Sequence, residues 1–219
     1  MRLCRPRRTG WPRILLLGLI LGLAACAGPQ KPLKEAEEAS LAVAPFAQPD
    51  KQWELIEGYL PGDSREVDQE ILQRLDSMLQ EELQKRDVTR YKEPALVRQC
   101  QEIVLYEQQD ERLEGLTYWS KVGRCLPAEL ILVPQLLKWQ NRVGGQWGVE
   151  QPAMVAFDLC LINAQEKELL QRFHFEEQQS SLTENIFHWR DFVRRGGRWI
   201  TAPELAREGV SKGLSELGL

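Results

Sequence analysis

Val155, Phe157, Leu159 and Leu161 alternate with Ala156, Asp158, Cys160 and Ile162, and ten residues later Phe173 and Phe175 alternate with Arg172, His174 and Glu176. A period of two places successive side chains on opposite faces of a strand. Residues 153–163 and 168–177 therefore read as two strands, joined by the turn formers Asn163 to Lys167. Upstream, Glu129 to Trp139 reads as a third strand, with Pro134 marking a bulge or an edge. The turn at Gly144-Gly145 makes the three an antiparallel meander.

A sheet with apolar faces needs helices to cover it. Val67, Ile71, Leu72, Leu75, Met78, Leu79 and Leu83 follow the spacing of three and four that gives a helix one buried stripe. Asp63 is placed to cap this helix, with Glu66 in capping-box position. Residues 95–109 repeat the pattern with Leu96, Cys100, Ile103 and Val104 on one side, and another helix covers about 112–123. Thr201-Ala202-Pro203-Glu204 opens a last helix, whose apolar side is Leu205, Val210, Leu214 and Leu217. Leu41 to Phe46 reads as a short buried strand that stops at Pro45. The order β, α, α, α, β, β, β, α predicts one α/β sandwich over residues 40–219, with a mixed, largely antiparallel sheet covered by helices.

The amino terminus has a different character. Arg2, Arg5, Arg7, Arg8 and Arg13 precede a wholly apolar or small run from Ile14 to Ala25, which ends at Cys26. A basic start, a short apolar run and a small-residue exit form a secretory leader, and the run is too short for a good spanning helix. Leu23-Ala24-Ala25-Cys26 resembles the bacterial lipobox, where cleavage precedes a cysteine that carries diacylglycerol. Residues 1–25 are thus expected to be removed and Cys26 to be acylated, anchoring the chain in a bilayer. Ala27, where an aspartate would retain the protein at the inner membrane of enteric-type bacteria, implies the outer membrane, with the domain facing the periplasm. Residues 26–39, with two prolines and five charges, read as a flexible tether.

Cleavage would remove five of the 28 bases and none of the 32 acids, leaving a net charge of −9. That balance argues against a nucleic-acid partner. Besides Cys26, the secreted chain would keep Cys100, Cys125 and Cys160. An oxidising compartment permits a Cys100–Cys125 bridge, while Cys160 lies in an apolar strand and reads as a buried thiol.

The strand Val43-Ala44-Pro45-Phe46, the amphipathic helix after it, and the later strand Ala128-Glu129-Leu130-Ile131-Leu132 resemble the periplasmic α/β domain shared by the amino-terminal part of TolB and the export lipoproteins CsgG and PelC. The resemblance covers most of residues 40–217. It implies a non-enzymatic lipoprotein that works by assembling, often in rings, at an outer-membrane export or assembly machine. CsgG inserts long amphipathic hairpins into the membrane. Nothing here reads as such a pair of barrel strands, which makes PelC the nearer likeness.

No nucleophile elbow, phosphate-cradling glycine loop or dinucleotide fingerprint occurs. His174 and His188 have no metal-spaced partner, and His174 reads as a solvated side chain. Neither cofactor, metal nor enzymatic activity is expected. Contact residues are sought instead where aromatic and cationic side chains mix. Phe187, Trp189, Arg190, Phe192, Arg194, Arg195, Arg198 and Trp199 form such a stretch in an otherwise acidic chain, and Trp147 stands beside the glycine turn. Tryptophan and arginine are favoured at interface hot spots, and tryptophan at membrane surfaces. The expected partners are the bilayer, envelope proteins or further copies of the chain. The rival expectation is a monomeric lipoprotein that binds a small ligand, a glycan or peptidoglycan.

Overall fold

The structure is a computed structural model, and it describes residues 40–62, 65–107, 113–145, 148–178 and 198–219. All belong to the compact unit Lys34–Leu219; a first unit, Met1–Leu33, lies outside the described residues. The strands are β1 (Leu41–Val43), β2 (Tyr91–Lys92), β3 (Leu130–Gln140), β4 (Val143–Gly144), β5 (Val149–Gln151), β6 (Met154–Asn163) and β7 (Glu168–Gln178). The helices are α1 (Gln69–Lys85), α2 (Pro94–Glu107), α3 (Gly115–Cys125) and α4 (Ala202–Leu217). No helix of the described residues is long and apolar enough to cross a membrane.

The main sheet has the order β2-β1-β3-β6-β7, and β4 and β5 form a separate two-stranded ribbon. β1 runs parallel to β2 and β3, whereas β3, β6 and β7 are antiparallel neighbours. The expected single α/β domain with a mixed sheet is what the chain forms. Each face of the sheet buries its own core. Val43, Leu132, Phe157, Leu159 and Phe175 meet α1 and α4 on one side, while Ala42, Ile131, Val133 and Cys160 meet α2 and α3 on the other.

Three features depart from the sequence reading. The first helix begins at Gln69, with Asp68 in the cap position, whereas Asp63 lies outside the described residues. The reason is Gln48, whose amide donates to the Arg65 carbonyl (2.7 Å) and accepts from the Val67 N–H (2.9 Å). Those bonds hold the backbone before Asp68 outside the helix. Pro134 lies neither at an edge nor at the bulge, because β3 is central and its register shift falls between Leu136 and Lys138. Its carbonyl accepts from the Ala47 N–H, so its ring nitrogen faces the side of β1, just past the last paired residue there, Val43.

The third departure is the rotation of α2. Val97, Cys100 and Val104 are buried, but Leu96 and Ile103 are exposed. Cys100 is joined to Cys125 at the end of α3, with the two Cα atoms 5.8 Å apart. That crosslink turns the Val97–Cys100–Val104 stripe toward α3 and the sheet. Leu96 and Ile103 each sit one residue off the stripe, about 100° around the helix.

α4 starts as predicted: Thr201 accepts from the Glu204 N–H, and the Glu204 carboxylate accepts from the Thr201 N–H (2.8 Å). Two glycines then let it lie close on the sheet. A Cβ at Gly213 would stand 2.5 Å from Phe173 and 2.6 Å from Leu159, and one at Gly209 would stand 2.7 Å from Phe175. Gly213→Ala is therefore expected to overpack the seam and cost about 1–3 kcal/mol. A urea midpoint that stays put would contradict this close approach.

Candidate functional site

The aromatic and basic stretch singled out from the sequence is described only at its end. Leu23, Ala24, Ala25, Cys26, Trp147, Phe187, His188, Trp189, Arg190, Phe192, Arg194 and Arg195 lie outside the described residues. Arg198 donates to the Glu204 carboxylate at 2.9 Å. The Trp199 carbonyl accepts from Arg142, and Ile200 is buried in the core beneath α4. These residues are thus built into the start of α4. Burial alone would raise the Glu204 carboxyl, but the Thr201 N–H and hydroxyl and the Arg198 guanidinium outweigh it and hold the group below its usual range.

The face of the sheet opposite α4 holds a polar cluster that sequence periodicity did not assemble. Among the described residues, α2 and α3 pack on β1, β3 and β6 on this face, and the chain around residues 54–58 reaches over the rest. There Asp158 on β6 is fully buried. It accepts from Arg172 Nη2 at 3.0 Å and meets His174 Nδ1 at 2.7 Å. His174 is its cross-strand partner on β7, and its Nε2 lies 3.5 Å from Glu176. Instead of being merely solvated, as its place in the alternation implied, His174 is tied to a buried carboxylate. Gly58, at φ 91°, lets the covering loop close directly over Arg172, since a Cβ there would stand 2.6 Å from Nη2.

Around this cluster opens a groove of about 630 Å³, lined by Glu57, Tyr59, Leu137, Arg172, His174 and Glu176. Tyr59 is 88% exposed at its rim. The groove offers donors, acceptors and one aromatic surface. Cys160 shares this face but is buried, and burial first, then the Asp158 charge, pushes its thiol far up, so it is no nucleophile.

A second site is apolar. Gln135 on β3, itself buried, accepts from the Ile56 N–H (3.1 Å) and donates to the Glu54 carbonyl (3.0 Å), fixing the 54–56 segment to the sheet. α3 begins hard against that segment, since a Cβ at Gly115 would lie 2.5 Å from the Glu54 and Leu55 carbonyl oxygens. Between segment, α2 and α3 lies a cavity of about 300 Å³, lined by Pro49, Trp53, Leu105, Leu113, Tyr118 and Trp119. Burial raises the Tyr118 hydroxyl above the usual phenol range, against a hydrogen bond with Gln101. On the other flank of α2, Leu96, Ile103 and Tyr106 are exposed. The sequence held a signal for this exposure: Tyr106 and Leu105 fall outside the helix's buried stripe.

Neither a protein-family model nor a curated protein matches the chain. Among solved structures it is similar to the PelC dodecamer from Paraburkholderia phytofirmans, at 11% identity, covering 82% of this chain and 86% of that chain with a TM-score of 0.45. A point variant of that dodecamer gives 12% identity, 82% and 88% coverage and a TM-score of 0.44. A hypothetical protein from Chlamydia trachomatis gives 8% identity, 82% and 95% coverage and a TM-score of 0.41. The chain is similar to these proteins in overall course, and the likeness goes no further.

Proposed function

We propose that this chain is a lipid-anchored, non-enzymatic component of a bacterial envelope export or assembly machine. Residues 1–25 are its signal peptide, acylated Cys26 with residues 27–39 its tether, and residues 40–219 its periplasmic domain at the outer membrane. The observation that carries this reading is the run of apolar and small residues ending Leu23-Ala24-Ala25-Cys26 behind five arginines. The Cys100–Cys125 bridge suits an oxidising compartment. The sequence resemblance to export lipoproteins supplies the machine, and the exposed Leu96, Ile103 and Tyr106 of α2 supply a surface through which contact with another protein can be made. The apolar cavity beside α3 favours a second reading, in which a monomeric lipoprotein takes up a small ligand or a glycan or peptidoglycan fragment.

Cys26→Ser tests the tether. The variant is expected to lose palmitate labelling, to accumulate with its leader uncleaved, and to yield no acylated mature protein. Normal processing together with unchanged outer-membrane fractionation would rule the reading out.

A further inference from the structure

β7 ends the main sheet, and among the described residues no strand pairs with its outer side between Glu168 and Glu176. An edge of this length presents a row of unpaired N–H and C=O groups to any second strand. Glu168–Gln178 contains neither proline nor lysine and is among the longest strands of the fold, and what blunts it is limited to the charges of Glu168, Arg172, Glu176 and Glu177 and one bulge. Its only irregularity is near the start, where Leu161 faces Gln171 and Ile162 faces Leu169, so that Leu170 is extra. From Gln171 onward the edge is regular.

We propose that the β7 edges of two copies of this chain pair antiparallel about a twofold axis at His174, joining two sheets into one. This deepens the assembly half of the function proposed above and does not depend on acylation. Side chains directly opposite one another share a face, so a twofold axis normal to the sheet must pass through a residue. An axis at Arg172 would set Arg172 against its own copy and Glu168 against Glu176. One at Glu176 would oppose two carboxylates. One at Phe173 leaves Glu176 opposite Leu170, and one at Phe175 sets Phe173 opposite Glu177 and Arg172 opposite Gln178, without the arginine–carboxylate pair or the pairing of Phe173 with Phe175. The axis at His174 sets Arg172 opposite the partner's Glu176 and Phe173 opposite the partner's Phe175, each twice, which are the opposite-charge and aromatic pairs that stabilise a ladder. Arg172 is already held by the buried Asp158, so its position is fixed before the partner arrives.

The helix layer fits the same axis. Gly213 packs against Phe173 on β7 and Leu159 on β6, which places α4 over the seam between these strands. Strands lie about 4.8 Å apart, so α4 and its copy would run antiparallel about 10 Å apart, an ordinary helix-packing distance. On the other face, the two polar grooves would merge along the row Arg172, His174 and Glu176.

The test uses the full-length protein in detergent. His174→Cys is expected to give a disulfide-linked dimer under mild oxidation, whereas Leu170→Cys, which this register sets opposite the partner's Gln178, is not. Glu176→Arg, an exposed position, places like charges opposite Arg172 and should weaken association about tenfold by light scattering. For the unmodified protein, the alternate amides of residues 168–176 that face away from β6 should lose hydrogen-exchange protection on dilution to the monomer. A monomeric wild-type protein would overturn the proposal. So would a dimer in which those outward amides exchange freely, or one that crosslinks no better at 174 than at 170. The mass of the same preparation keeps the two ideas apart: an acylated monomer defeats the pairing alone, and an unacylated dimer defeats the tether alone.

Discussion

Asp158→Ala is expected to destabilise the domain by about 3–5 kcal/mol, because removing one partner of a buried ion pair strands the other. Asp158 is fully buried, and the Arg172 side chain that answers it is only 25% exposed. Without the carboxylate, Arg172 keeps a desolvated charge beneath the Gly58 loop, and its Nε is already buried without a partner. His174 loses its Nδ1 partner as well, but at 42% exposure it can turn to water. The origin of the loss can be checked within the same pair. Asp158→Leu combined with Arg172→Leu removes both charges and should recover most of the stability in urea unfolding. If the single variant unfolds like the wild type, or the double variant is the worse of the two, the cluster is not the electrostatic unit described.

Loss of the crosslink between α2 and α3 should cost nearly as much. Cys100 and Cys125 are 25 residues apart, and a closed loop of that size restricts the unfolded chain by about 3.5 kcal/mol. The double variant Cys100→Ala/Cys125→Ala leaves Val97, Val104, Trp119 and Val122 to hold the two helices on the sheet. It should fold, with a urea midpoint clearly below that of the oxidised protein, and dithiothreitol should bring the wild type to a similar value. Equal midpoints for the oxidised wild type and the double variant would contradict this. The effect also ties stability to compartment, since a reducing cytosol would withhold the bond.

Much of the fold was legible because its elements are strongly periodic. The apolar stripe of α1, the capping box at Thr201 and the alternation through Phe157 and Phe173 each report on a local geometry that the sequence repeats several times. What escaped was set by distant contacts. β2 is two residues long and owes its pairing to β1, so Tyr91 and Lys92 carry no pattern of their own. Leu96 and Ile103 fit a helical stripe as well as Val97 and Val104 do, and contact with α3 and the sheet decides which stripe turns inward. His174 alternates as a solvent-facing residue should, but the β6–β7 register brings a buried carboxylate from 16 residues away beneath it. Local patterns fix which way a side chain points, and register fixes what it meets.

The candidate contact surfaces divide in the same way. Arg198 and Trp199 were chosen for residue type, yet the structure engages them at the start of α4. The exposed apolar side chains of α2 were visible only as residues left over from a stripe, and the cavity beside α3 depends on Gln135 pinning the 54–56 segment from the sheet.

The central claim is that one cysteine turns an acidic secreted domain into a bilayer-bound one. Intact-mass spectrometry of the mature protein, taken from a bacterial envelope, measures that directly. The account predicts a chain beginning at Cys26 whose mass exceeds that of the polypeptide by a thioether-linked diacylglycerol. A chain that begins at any other residue, or a Cys26 that keeps a free thiol, would contradict it.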